Sequence, residues 1–362
     1  MKKILYDNQM FTFQRFGGVT RYFADLIYNL PQNEFAVSLP MTFCDNHYIT
    51  VTYGGKYRSL SFPKNYRLRR RIYQPFNLMR AYKAIKHEEF DIFHPTYYNP
   101  YFLNTLKRRN KPFVLTIHDM TFERYPQDVL IYDRTIPHKK LLIAEADHII
   151  AVSENTKRDI VELLGTDPTK ISVVHHGYRS VTEPSPQLFE RYILYVGERK
   201  GYKNFFPWLS AVRSILVADP TLRIVCTGNP FTQSELELFG KWNIKERILH
   251  ISASDAQMAS LYRHALCFVF PSHYEGFGIP ILEAFSNGCP ICLSNASCFP
   301  EIAGDAALFF NPNDAQSMSD TLRELVTNET LRKELSAKGY ERVKEFSLEK
   351  MVSDTCNVYR KL

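Results

Sequence analysis

Long apolar runs are absent from this 362-residue chain. The run Ala265-Leu266-Cys267-Phe268-Val269-Phe270 is typical of what it offers, far short of the roughly 18 residues a membrane-crossing helix needs. Lys2 and Lys3 precede only Ile4-Leu5-Tyr6 before Asp7, too little for the apolar core of a signal peptide, so export by that route is not expected. Cysteine is sparse: seven residues, an odd number, with no framework of small disulfide loops, which points to a reducing cytoplasm. Internal repeats and low-complexity tracts are also absent, as is any Asp-x-Asp triplet for holding a metal ion. One stretch lacks acid altogether. From Lys56 to Lys86 ten basic residues meet no carboxylate, and residues 1–180 hold 26 basic against 17 acidic residues where the remainder holds 19 against 21.

What is present is ordinary globular material. A hydrophobic content of 45% supports sizeable cores and argues against disorder, and the length suggests two domains. Short apolar or β-branched runs alternate with segments of helical period, the pattern of βαβ units and parallel sheets, so the fold class is α/β. In the first half strands are expected at 3–6, 35–39, 91–94, 113–117, 148–152 and 171–175; in the second half at 192–196, 222–227, 248–251, 266–270, 290–293 and 307–310. Ser180-Val181-Thr182-Glu183-Pro184-Ser185-Pro186 suits a linker. The expected division is a first domain over 1–180, a linker over 181–190, a second domain over 191–346, and a helix over 347–362.

The most informative stretch is Pro271-Ser272-His273-Tyr274-Glu275-Gly276-Phe277-Gly278-Ile279-Pro280-Ile281-Leu282-Glu283. It follows an apolar strand and reads as a glycine loop opening a short helix, with Pro280 suited to the first helical position and Gly288 to the helix end. Amides of Phe277, Gly278 and Ile279 would then point at an anion. Glu275 on the loop and Glu283 in the first turn would flank that helix start, either as ligands for sugar hydroxyls or as a turn cap and a complement to the helix dipole. Cys289-Pro290-Ile291-Cys292 has metal or redox spacing but no second pair, and reads as core filling. His175-His176 likewise lacks a ligand pattern.

Glu275 and Glu283, inside Glu-Gly-Phe-Gly-Ile-Pro, resemble the paired-glutamate motif of the GT4 family of retaining glycosyltransferases with the GT-B fold. Further segments match in order: Gly17-Gly18-Val19, Thr116-Ile117-His118-Asp119, Ala151-Val152-Ser153-Glu154, Val196-Gly197-Glu198-Arg199 with Lys203-Asn204, Pro271-Ser272, and Ser294-Asn295-Ala296-Ser297. The resemblance implies two doubly wound Rossmann-like domains facing across a cleft, the C-terminal helix returning to the first. It implies a nucleotide-sugar donor held mostly by the second domain. Sugar would pass to an acceptor hydroxyl with retention, the departing phosphate taking the acceptor proton, as in bacterial polysaccharide or glycolipid assembly.

On that resemblance Arg199 and Lys203 neutralise the diphosphate, although Glu198 stands where the family commonly has Arg. Glu283 takes the ribose, and Glu275 faces the donor sugar. His118 contacts the sugar near the reacting carbon, and Asp119 supports its loop. Gly17 and Gly18 let backbone approach the donor, and Gly228 and Ser252 border the base. A hydrolysing sugar-nucleotide epimerase of GT-B fold and a non-catalytic sugar-nucleotide-binding protein are the alternatives. No metal and no cofactor beyond the nucleotide sugar are expected.

The basic stretch over 64–86, with Arg67, Arg69, Arg70 and Arg71 interleaved with Tyr, Leu and Ile, suits an anionic membrane surface or an acidic acceptor glycan, and a solvated helix face is the plain alternative. Nucleic acid is not expected, since no recognition motif accompanies it. The expected location is the cytoplasm, with peripheral contact at the inner face of the membrane.

Overall fold

The computed structural model describes residues 1–60, 65–128, 134–179, 183, 185–199 and 201–362. The linker residues Ser180, Val181, Thr182 and Pro184, and the basic residues Lys64 and Lys200, therefore lie outside the described residues. The chain forms two compact units, Met1–Gly177 with Leu348–Leu362, and Tyr178–Ser347. Among the described residues no helix is long and apolar enough to cross a membrane.

The first unit carries β1 (Lys2–Tyr6), β2 (Phe35–Ser38), β3 (Ile92–His94), β4 (Val114–Ile117), β5 (His148–Ala151) and β6 (Ile171–Val173). They pair in parallel as β2-β1-β3 and β4-β5-β6. A single parallel bridge from Phe93 to Phe113 links the two sets. Parallel strands require long crossovers, and helices on both faces bury them, which is why their residues read as apolar runs with no alternation.

The second unit carries β7 (Tyr192–Tyr195), β8 (Arg223–Cys226), β9 (Ile248–His250), β10 (Cys267–Phe270), β11 (Ile291–Ser294) and β12 (Leu308–Phe310) in one parallel sheet, ordered β12-β11-β10-β7-β8-β9. The order reverses between β7 and β10. All twelve expected strands form. Cys226, Cys267, Cys289 and Cys292, in and beside this sheet, are buried free thiols that form no disulfide, as core side chains.

The last helix, Leu348–Lys361, belongs to the first unit and packs on the helix Gly18–Asn29. Its buried side chains, Leu348, Met351, Val352, Thr355, Cys356, Val358 and Tyr359, recur at helical spacing and make one largely apolar stripe. Its end is pinned by a fork of hydrogen bonds from Arg360 to Glu34, at 2.5 and 2.6 Å. Inside, the Tyr359 hydroxyl meets the Tyr6 hydroxyl at 2.7 Å and Nδ1 of His94 at 2.6 Å, while Nε2 of His94 meets the Thr116 hydroxyl at 2.9 Å. One buried imidazole thus ties β3, β4 and the last helix together, a network with no signature in the sequence.

Burial drives His94 and His118 down to about 3, and pushes His176 well below the usual histidine range. In the unfolded chain these imidazoles take up protons below about 6.5. Between that pH and about 3 the unfolded state binds more protons, so stability is complete above neutrality and falls as pH drops through this window. We expect the midpoint of chemical denaturation of the first unit to fall between pH 7.5 and pH 5. His94→Gln, which cannot be protonated, should lower the midpoint at pH 7.5 but flatten the pH dependence; an unchanged slope would refute the role given to His94.

Candidate functional site

Where strand order reverses in an open parallel sheet, the loops leaving the two neighbouring strands turn to opposite faces and leave a crevice at their carboxyl ends. In the second unit that place is the end of β7 beside the end of β10. The turn after β7 begins with Gly197 at φ 123°, and the turn after β8 holds Gly228 at φ 97°. These backbones nearly touch: a Cβ on Gly228 would stand 2.7 Å from the Gly197 carbonyl oxygen. Gly228 is therefore closed to any side chain, while at Gly197, where a Cβ would stand in open space, it is the positive φ that favours glycine.

After Gly197 the chain passes through the tight turn Gly201–Lys203 to Asn204, which takes a left-handed conformation at φ 55° and starts the helix Phe205–Ala218. Nδ2 of Asn204 donates to the Pro312 carbonyl at 2.9 Å and fixes that start. Lys203 is thereby aimed across the reversal, where its Nζ donates to Oε1 of Glu275 at 2.6 Å. Both side chains are mostly covered, at 18% and 15% exposure. The ammonium also lies 5.0 Å from the Tyr202 ring centroid and 5.9 Å from that of Phe270. Burial works to lower Lys203, but the Glu275 carboxylate and the Tyr202 hydroxyl outweigh it and hold the ammonium above the ordinary lysine value.

Glu275 is fixed from behind. Its N–H donates to Oγ of Ser297 at 3.1 Å, and that hydroxyl donates to the Glu275 carbonyl at 2.6 Å. Ser297 itself sits at φ 55°. Ser297 belongs to the segment Ser294-Asn295-Ala296-Ser297, and its distance along the chain from Glu275 hides the contact from the sequence. Gly278, at φ 91°, caps the helix Ile279–Ser286. Two expectations are corrected here: Pro280 is the second helical residue, and Glu283 the fifth, beyond the first turn where a carboxylate best complements the dipole. Oε2 of Glu283 instead accepts from the Tyr262 hydroxyl at 3.0 Å. The buried hydroxyls of Ser272 and Ser294, just past β10 and at the end of β11, have no hydrogen-bond partner.

Arg199 goes elsewhere. Its Nε and a terminal nitrogen donate to the two oxygens of Glu235 at 2.8 and 3.2 Å, and its guanidinium carbon lies 4.7 Å from the Phe231 ring centroid. Glu235 is also the third residue of a helix capped by Thr232. Arg199 lines a cavity of about 330 Å³ with Glu198, Phe206, Asn229 and Glu235, whereas Lys203 turns to Glu275. Beyond Gly228, Nε2 of His250 meets the Gly228 carbonyl at 3.0 Å, and Ser252 is exposed in the loop that follows β9.

In the first unit Gly17 is extended, so its backbone needs no glycine, and a Cβ there would meet only the amide end of the flexible Gln14 side chain. The helix that follows starts at Gly18. His118 directly follows β4, with its ring stacked on His176, centroids 5.5 Å apart. Both His118 ring nitrogens are buried and have no hydrogen-bond partner, an unusual debt for a neutral imidazole. Asp119 accepts from the Thr121 N–H at 3.0 Å and supports the loop.

The basic stretch forms the helix Tyr66–His87. Arg67 and Arg71 are exposed, and Arg70 lies over the Phe13 ring at 5.7 Å. Arg69 departs from its expected place on an open patch: it turns inward to Asp45 at 2.9 Å and to the Leu60 carbonyl at 3.1 Å. Among the described residues no cluster of three His, Cys, Asp or Glu side chains could hold a metal ion.

The family model for glycosyltransferase family 4 matches residues 16–179, and that for glycosyl transferases group 1 matches residues 183–342. The O-antigen chain mannosyltransferase B of Escherichia coli is 29% identical over 329 residues, 84% of this chain and 83% of its own. Among solved structures, the sucrose-phosphate synthase of Thermosynechococcus elongatus superposes with a TM-score of 0.75 at 18% identity, covering 100% of this chain and 99% of its own. HepE of Anabaena, solved in complex with UDP, gives a TM-score of 0.73 at 14% identity over 100% of both chains.

Two glycine substitutions of opposite sign test the turn geometry. Gly228→Ala forces a side chain into the Gly197 backbone at positive φ and should cost about 1–3 kcal/mol. Gly240→Ala, in a helix with open space around it, should gain up to about 1 kcal/mol. Denaturation midpoints for the two variants decide, and a harmless Gly228→Ala would contradict the close approach.

Proposed function

The chain belongs to glycosyltransferase family 4, whose members are retaining enzymes of GT-B fold, and on that premise we propose that it moves a hexosyl group from a nucleoside diphosphate to a glycan hydroxyl. A mannosyl group in O-antigen-type polysaccharide is the first candidate, supported by the Escherichia coli relative. The observation that carries the site assignment is the Lys203–Glu275 pair at the strand reversal. Lys203 takes the diphosphate, where negative charge grows as the bond from the anomeric carbon to phosphate oxygen breaks. That oxygen accepts the proton of the incoming acceptor hydroxyl, so the protein's main task is holding charge. Glu283, oriented by Tyr262, takes the ribose hydroxyls. Arg199, already bonded to Glu235, supports the loop more than it meets phosphate, and in the first unit the buried ring nitrogens of His118, without a hydrogen-bond partner, are groups that a sugar hydroxyl would satisfy.

An anionic membrane surface is the second partner we assign. The helix Tyr66–His87 buries Tyr73, Asn77, Ala81, Ala84 and Ile85 and leaves Leu68, Ile72, Phe76, Met79 and Tyr82 outside. Those five repeat at spacings of four and three along the helix, so they form one apolar stripe, with Arg67, Arg71, Arg80, Lys83 and Lys86 exposed among them. An apolar stripe bordered by cations matches the interface of an anionic bilayer. Each cation there is worth about 1 kcal/mol.

Incubation with GDP- and UDP-linked hexoses, with and without glycan acceptor, tests the reaction: acceptor-dependent release of nucleoside diphosphate is expected, and acceptor-independent release would favour hydrolysis. Lys203→Ala should lower kcat/KM by about 2–4 kcal/mol of transition-state stabilisation; unaltered turnover would remove Lys203 from the site. For the membrane, wild type should pellet with phosphatidylglycerol vesicles at low salt and less at high salt. The double variant Arg71→Ser/Met79→Ser should lose most of that attachment, and equal pelleting would dismiss the surface. Arg69 is left intact in this test, because removing it would strand Asp45.

A further inference from the structure

The two groups assigned to opposite parts of the donor are bonded to each other. Nζ of Lys203 and Oε1 of Glu275 stand 2.6 Å apart, each side chain more than four-fifths covered. Neither charge can be left alone in such surroundings without a large desolvation penalty, so each is the other's counter-ion. The backbone at both ends is held: Asn204 fixes the helix that follows Lys203, and the Ser297 hydroxyl bonds both the N–H and the carbonyl of Glu275. The carbonyl of Tyr202 also accepts from the N–H of His273, joining the two loops directly at 2.8 Å. Any rearrangement on binding therefore falls to the side chains.

We propose that Lys203 and Glu275 form a latch that the donor's diphosphate opens: the phosphate oxygens take the ammonium from Glu275, and the carboxylate so released turns to the hydroxyls of the sugar. The inference rests on the reading above that Lys203 binds diphosphate. A diphosphate carries more charge than one carboxylate and offers the ammonium several acceptor oxygens, so it can win the exchange; a neutral nucleoside or a bare hexose brings no anion and cannot. The latch thus couples the two halves of the donor. It makes the carboxylate available only when a leaving group is already seated, and it sets a cost on nucleotide binding that removal of the carboxylate would lift.

Calorimetry with GDP, UDP and their nucleosides tests this on wild type, Glu275→Gln and Lys203→Met. Glutamine keeps the shape of glutamate but gives the ammonium no counter-charge, so Glu275→Gln should bind the preferred nucleoside diphosphate about 3- to 10-fold more tightly, as expected when a competing closed state is removed, while its affinity for the nucleoside stays unchanged. It should also lose sugar transfer. Equal or weaker binding of nucleoside diphosphate by Glu275→Gln, with binding by Lys203→Met reduced, overturns the latch alone. Binding by Lys203→Met equal to wild type overturns the diphosphate assignment beneath it. Should Glu275→Gln fail to fold, the wild-type protein decides: mannose should bind at least 3-fold more tightly with saturating nucleoside diphosphate than without it, and equal affinities overturn the proposal.

Discussion

A parallel sheet whose strand order reverses cannot cover its own edge at the point of reversal. Between β7 and β10 the chain departs to opposite faces, and the carboxyl ends of the two strands are left facing an opening. Much of the second unit's loop structure follows from closing or using that opening. Gly197 and Gly228 bring the β7 and β8 turns into backbone contact on one side. Ser297 holds the β10 loop on the other. Lys203 and Glu275 are the side chains that then meet across it, one delivered by a left-handed Asn204 and the other by a clamped loop.

The sequence was most legible where the physics is local. Strands buried on both faces must be apolar throughout, so twelve short runs could be read one by one, and the glycine loop ahead of Ile279 announced itself by the residues that only a tight turn favours. Position within the helix was less legible. Proline is compatible with the second helical residue as well as the first, and that one-residue difference moved Glu283 out of the first turn.

Pairings between distant loops were not legible at all. Arg199 and Lys203 share one loop and one charge, yet Arg199 turns to Glu235 near the start of the helix after β8 while Lys203 turns to Glu275 after β10. Nothing in the local sequence distinguishes them; the difference lies in which carboxylate the fold brings within reach. Arg69 was drawn inward by Asp45 in the same manner, and the exposed apolar stripe of its helix became visible only when the buried face was known. The His94 network is the extreme case, since its three partners come from β1, β4 and the last helix.

The return of the last helix gives the chain an order of completion during synthesis. The second unit, Tyr178–Ser347, is contiguous and has all its strands once its own residues have emerged. The first unit is made earlier but stays unfinished: Tyr6 and His94 wait for Tyr359, and the apolar face of the helix Gly18–Asn29 waits for Leu348 to Tyr359 to cover it. Residues of the first unit made before the second therefore reach their final packing after it, with an open apolar flank for as long as the whole second unit takes to be translated.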